Sequence, residues 1–142
     1  MKPETIFTIC NSAAPLGWIL MVFAPRWKWT RKIVLSGFYP LLLGLVYLAL
    51  IVLYFGDGEG DFSSLAGVSQ LFDNPFALTA GWIHYLAFDM FIGAWEVGDS
   101  QKHGINHFLV IPCLFFTFMF GPVGLILYFT IRAVKTKKMF HE

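Results

Sequence analysis

A chain of 142 residues that is 57% hydrophobic, 18% aromatic and only 13% charged, with a mean hydropathy of +0.66, carries about half the charge of an ordinary soluble domain and reads as a membrane protein. The length suits one domain, and the apolar runs leave no room for a large soluble portion. A net charge of +1 gives no case for nucleic acid as a partner, and Cys10 and Cys113, each alone in an apolar run, suggest neither a zinc site nor a thiol relay.

The first apolar run covers residues 5–24. Lys2 precedes it and Val22-Phe23-Ala24 loosely resembles a signal-peptide cleavage site, but the run is too long for a signal core and Pro25 would follow the cut. It is read as a retained helix, and with no Arg- and Ser-rich transit segment before it the chain reads as bacterial or already mature. Asn11 cannot face lipid without a partner, so it points into the bundle, as an interhelical hydrogen bond or as a ligand contact. Residues 25–32 then combine Trp27 and Trp29 with Arg26, Lys28, Arg31 and Lys32, the pattern of a cytoplasmic interface.

Residues 33–55 form the second run. Gly37 and Gly44, seven apart, share a face on which a neighbouring helix can approach closely, and Pro40 predicts a kink. Residues 56–61 alternate glycine with Asp57, Glu59 and Asp61. Counted from Asp57, a calcium loop needs glycine and glutamate where Phe62 and Val68 stand, so a solvated turn is expected. Residues 63–72 follow as a short interfacial helix with Leu65, Val68, Leu71 and Phe72 at helical spacing.

The third run, residues 76–95, carries the chemistry. A carboxylate at membrane depth costs about 2.5 to 3.5 kcal/mol on insertion scales, so Asp89 calls for a partner, a cavity or a ligand. Tyr85, Asp89, Ile92 and Glu96 share one helix face; His84, Phe88, Phe91 and Trp95 share another about 100° away. His84 and Asp89 are candidate acid and base, with Asn11, Trp82, Tyr85, Phe88, Trp95 and Glu96 as candidate substrate-binding residues. The plainer reading makes His84 a hydrogen-bonded packing residue. Asp99, His103 and His107 continue at i, i+4 and i+8 and, with Glu96, form a carboxylate and histidine group of a type that metals use. Asp99 and His107 are thus further catalytic candidates, although Gly98 and Gly104 favour a polar interfacial loop there.

Residues 108–131 form the fourth run, with Pro112 inside it and a kink or break expected at Gly121-Pro122. Arg132, Lys135, Lys137 and Lys138 read as a basic tail. The fold expected is all-α: one transmembrane domain, residues 1–142, of four membrane-spanning helices in a small bundle. With four crossings the Lys and Arg residues tie across the membrane, which leaves the orientation open.

Three segments together resemble a known family. They are Asn11-Ser12-Ala13-Ala14-Pro15-Leu16-Gly17-Trp18 with Ala24-Pro25-Arg26, then Gly81-Trp82-Ile83-His84-Tyr85-Leu86-Ala87-Phe88-Asp89, and His107 through Pro112-Cys113 to Gly121-Pro122-Val123-Gly124. Over nearly the whole chain the sequence is similar to the abscisic-acid-deficient-type membrane proteins of plants and bacteria. The plant members are linked to formation of neoxanthin from violaxanthin. The resemblance implies a four-helix integral membrane protein acting on a carotenoid or isoprenoid-like lipid, in a bacterial inner membrane or, in a plant, a thylakoid or other plastid membrane. That conversion is redox-neutral: an epoxide opens while a proton leaves the adjoining polyene, so an acid and a base suffice and no cofactor is obligatory. Its partners would be the polyene, the bilayer and a second copy of the chain in a homo-oligomer. Two other readings stand beside it. One is a redox protein in which His84 and His107, or the Glu96 to His107 group, hold haem or a metal; the other is a pigment-binding or assembly factor without chemistry.

Overall fold

The computed structural model describes residues 1–54, 56 and 59–137. Phe55 at the end of the expected second run, Asp57 and Gly58 of the expected acidic turn, and Lys138 of the expected basic tail lie outside the described residues. Among the described residues there is no strand, and the chain forms six helices: α1 (Pro3–Phe23), α2 (Phe38–Tyr54), α3 (Leu65–Asp73), α4 (Pro75–Lys102), α5 (His107–Phe120) and α6 (Pro122–Thr136). A π-helical stretch, Thr30–Leu35, precedes α2. By length and composition α1 and α4 can each cross a membrane, whereas α2 and α5 are shorter apolar helices.

Helix α4 is the axis, in contact with each of the other five. Asn74 caps it by accepting from the Phe76 and Ala77 amides, and Pro75 takes the first position, where its missing N–H costs nothing. It runs seven residues past the expected end at Trp95, so Gly98 does not interrupt it and Glu96 and Asp99 belong to the helix. At 1.5 Å per residue its 28 residues extend about 42 Å.

Helix α1 lies parallel to α4. Asn11 meets Trp82, Gly17 meets Met90, Trp18 crosses Gly93, and the Pro25 carbonyl meets Gln101. A Cβ on Gly93 would stand 2.7 Å from the Trp18 ring, so only glycine admits that crossing. Helix α2 runs the other way, with Tyr39 donating to the Ala13 carbonyl, Tyr47 against His84, and Tyr54 stacked on Phe76 at 3.8 Å.

Two expectations for the second run are corrected. Gly37, with φ of 84°, ends the first part of the run, and α2 begins at Phe38. Pro40 therefore sits in the first turn, where proline is tolerated, and produces no interior kink. A Cβ on Gly44 would have no atom within 4 Å, so the face it shares with Gly37 is open rather than covered by a neighbouring helix.

The fourth run breaks at Gly121 and doubles back. Along α5, Thr117 meets Glu96 and the Phe118 carbonyl meets Tyr85, so α5 climbs α4 from its C-terminal end. Along α6, Gly121 lies beside Asp89, Tyr128 meets Asp99 and Arg132 meets Asp99 and His103, so α6 descends again. Gly124 sits directly on the backbone of α5 at Cys113 and Thr117, an approach that any side chain would block. With 14 and 15 residues, α5 and α6 are about 21 and 22 Å long, short of the roughly 30 Å hydrocarbon core. The run expected as one crossing is a helical hairpin whose two ends lie at the same end of α4.

Candidate functional site

Two faces of α4 carry polar side chains, and they face different neighbours. On the first, His84 borders a pocket of about 400 Å³ between α2, α3 and α4, lined also by Tyr47, Tyr54, Phe62, Phe72 and Asn74. Its ring stacks on Phe88 at 4.6 Å and meets Tyr47 edge-on at 5.3 Å. His84 is exposed rather than buried, and neither ring nitrogen has a hydrogen-bond partner among the described residues. Below the His84–Phe88 pair the same seam continues as an apolar groove lined by Gly37, Pro40, Gly44, Ala87, Phe88 and Phe91.

On the second face, Tyr85, Asp89, Glu96 and Asp99 lie under the α5–α6 hairpin. Tyr85 donates to the Phe118 carbonyl at 3.1 Å, the last turn of α5. Asp89 is half-buried near the middle of α4 against Gly121, and its Oδ2 is buried without a hydrogen-bond partner. Glu96 is fully buried: Thr117 donates to Oε1 at 2.9 Å, and Oε2 has no partner. Asp99 is the hub of a connected group. Tyr128 donates to its Oδ2 at 2.6 Å, Arg132 Nε lies 2.9 Å from the same oxygen, and His103 Nδ1 is 2.9 Å from its backbone carbonyl.

The remaining candidates are distributed as follows. Asn11 accepts from Trp82 Nε1 at 3.0 Å, an interhelical hydrogen bond between α1 and α4. Trp95 rests 5.4 Å from both Tyr128 and Phe129. His107 Nε2 lies 2.9 Å from the Val22 carbonyl; a carbonyl only accepts, so that nitrogen carries the hydrogen and ties α5 to the end of α1. The structure thus brings Asp89, Glu96 and Asp99 under one hairpin and sets His84 and His107 elsewhere. His84 faces α2 and α3, whereas His107 lies on α5 against Val22 of α1, so the two do not converge on one haem. Among the described residues no group of three or more His, Cys, Asp or Glu side chains is placed to hold a metal ion.

Sequence reasoning missed Thr117, Tyr128 and Arg132, the hairpin's contributions to this face. Gly124, Tyr128 and Arg132 at i, i+4 and i+8 form one stripe of α6, a signal present in the sequence and masked by reading Arg132 as the start of a basic tail.

Comparison with known proteins places these features in context. The family described as ABA DEFICIENT 4-like matches residues 5–128, which include both faces of α4 and the hairpin through Tyr128. The protein ABA DEFICIENT 4, chloroplastic, of Arabidopsis thaliana is 26% identical over 140 residues, covering 92% of this chain and 62% of the relative. The chain therefore spans about three fifths of the length of that relative. No solved structure matches it.

Proposed function

The chain belongs to the ABA DEFICIENT 4-like family, and from that premise we propose that it is an integral membrane protein of a bacterial inner or plastid membrane that isomerises a carotenoid or similar isoprenoid lipid. Three helices, α1, α2 and α4, cross the bilayer, and the α5–α6 hairpin enters and leaves on one side in place of a fourth crossing. Broken backbone at membrane depth is tolerated where protein covers it, as α4 covers Gly121. Among the described residues Arg26, Lys28, Arg31, Lys32, Lys102, Lys135 and Lys137 lie at the end of α4 where the hairpin is anchored, and Lys2 lies at the other. The basic end faces the cytoplasm by the positive-inside rule.

The observation that carries the chemical reading is the exposed imidazole of His84 at the edge of an aromatic pocket, with a separate apolar groove along the same α2–α4 seam. A ring end group bearing an epoxide enters the pocket, which lies at the α3 end of the seam, and the polyene follows the open Gly37–Gly44 face. His84 takes the proton from the polyene carbon attached to the ring, the freed electron pair forms a second double bond to the ring carbon as that carbon's epoxide C–O bond breaks, and the oxygen takes up one proton to become a hydroxyl. One proton leaves carbon and one reaches oxygen, so no electron donor or acceptor is required. Tyr47 and Tyr54 line the same pocket and bring O–H groups for the oxygen.

Extraction of purified full-length protein, followed by absorption and mass spectrometry, tests the ligand class. A polyene spectrum is expected. Incubation with an epoxidised carotenoid then tests turnover, with His84→Phe expected to keep pigment and lose conversion. Pigment that stays unchanged with the wild-type protein would reduce the function to pigment binding, and a colourless protein that binds no polyene would end the reading.

A further inference from the structure

Glu96 makes no use of the His84 pocket, yet it is wholly buried at the seam between α4 and the hairpin. We propose that Glu96 is a proton-binding site that latches the α5–α6 hairpin onto α4, closed with the carboxyl group protonated and loosened when it ionises.

The groups that face this seam from α4 are Tyr85, Asp89, Glu96, Asp99 and His103; α5 contributes Thr117 and Cys113, and α6 contributes Tyr128 and Arg132. Arg132 stands 2.9 Å from Asp99 Oδ2, so its charge offsets Asp99. His103 Nδ1 approaches the Asp99 carbonyl at 2.9 Å and carries the hydrogen, which leaves Nε2 as the lone pair that meets Arg132 Nη2 at 3.3 Å. His103 Nδ1 also stands 3.4 Å from Asp99 Oδ1, so the ring faces Asp99 and Arg132 rather than Glu96. Asp89 also has one buried oxygen without a partner, but it is only half-buried and sits at the N-terminal end of α6, where the helix dipole favours an anion. Glu96 has neither a cation nor a helix end. One neutral hydroxyl, from Thr117, meets one of its oxygens, and the other has no partner. A buried carboxylate in that setting is far costlier than the neutral acid, so the closed hairpin takes up a proton on Oε2. Loss of that proton places an uncompensated charge where Gly124 rests on Cys113 and Thr117, at the tightest point of the hairpin.

Cys113, fully buried on α5 beside this seam, reports opening. With Cys10 changed to Ser, the full chain in liposomes is labelled with a small neutral thiol reagent across a range of pH, alongside the same protein with Glu96→Gln. The amide keeps the shape and the Thr117 hydrogen bond but cannot ionise. The ratio of the two rates removes the titration of the thiol itself, and an ionised Glu96 nearby would slow rather than speed that thiol. The ratio is expected near one at acid pH and to rise roughly tenfold through the titration. Infrared spectra provide a second readout: the C=O stretch of a protonated carboxyl group at neutral pH, lost in Glu96→Gln, kept in Asp89→Asn, and bleached at alkaline pH in the wild type. Should Glu96→Gln not fold, the wild-type and Asp89→Asn spectra decide alone. A flat rate ratio, absence of the band, or its loss on adding sodium ions at constant pH overturns the proposal.

Discussion

Asp99 of α4 and Arg132 of α6 stand 2.9 Å apart, carboxylate oxygen to Nε, with side chains 3% and 2% exposed. The Nε hydrogen is not aligned as a hydrogen bond, so the contact is an ion pair by distance. Tyr128 completes the group by donating to the same oxygen. Removing one member of such a pair leaves the other charge buried and uncompensated, a loss of about 3–5 kcal/mol, whereas the pair as a whole contributes much less. Asp99→Asn and Arg132→Gln are each expected to lower stability by about that amount in unfolding experiments in mixed micelles. The double substitution should cost clearly less than the sum of the two. Additive losses would mean that the two side chains do not depend on each other.

The close seat of α6 on α5 leads to a paired prediction at two glycines. A Cβ on Gly124 would collide with the backbone at Thr117 and Cys113, and backbone cannot rotate away as a side-chain tip can. Gly124→Ala should cost at least about 1–3 kcal/mol, the usual range for overpacking, and should expose Cys113 to thiol reagents. Gly44→Ala meets nothing within 4 Å and gains helix propensity, so it should be neutral or stabilising by up to about 1 kcal/mol. Equal effects at both positions would show that the hairpin does not close on Gly124.

Much of the fold was legible because apolar runs and punctuation residues act locally. The break at Gly121-Pro122 and the short helix before α4 both follow from nearest-neighbour chemistry. The direction in which the chain leaves Gly121 does not, because it depends on Gly124 meeting α5 and on Arg132 meeting Asp99, contacts between residues distant in sequence. That one unread turn also produced the tie in the basic residues, since a fourth crossing would carry Lys135 and Lys137 to the far side. At the site, periodicity correctly separated the His84 stripe from the Asp89 stripe on α4. Periodicity alone could not tell that His84 faces α2 and α3 while Asp89 and Glu96 face the hairpin, nor that Trp95, grouped with His84, packs on Tyr128 and Phe129 of α6.

If the polyene follows the open face of α2, filling that face should exclude it. Gly44→Leu places a branched side chain in the groove beside Ala87, Phe88 and Phe91 without touching the hairpin or the His84 ring. The variant should fold normally and bind pigment at least roughly tenfold more weakly, which corresponds to about 1.4 kcal/mol. The measurement is the pigment-to-protein ratio after titration with a carotenoid in detergent. Wild-type binding by Gly44→Leu would place the polyene elsewhere while leaving the His84 pocket untested.

The hairpin makes a topological prediction that a fourth crossing contradicts. Single cysteines are placed at Glu59, Gly104 and Lys135 in a chain whose Cys10 and Cys113 are replaced by Ser. Glu59 lies in the turn between α2 and α3, Gly104 between α4 and α5, and Lys135 in the last turn of α6. With α1, α2 and α4 crossing, Glu59 and Gly104 lie on opposite sides, because one full helix separates them. Lys135 joins Gly104, since α5 and α6 are each about 8 to 9 Å too short to cross and run in opposite directions. An impermeant thiol reagent added to sealed right-side-out vesicles should therefore label Glu59→Cys and spare both others, and permeabilisation should expose all three together. Labelling of Lys135→Cys alongside Glu59→Cys would mean that α5 and α6 unfold into a crossing in the bilayer. The contact of Arg132 with Asp99 would then be lost, and with it the buried surroundings of Glu96.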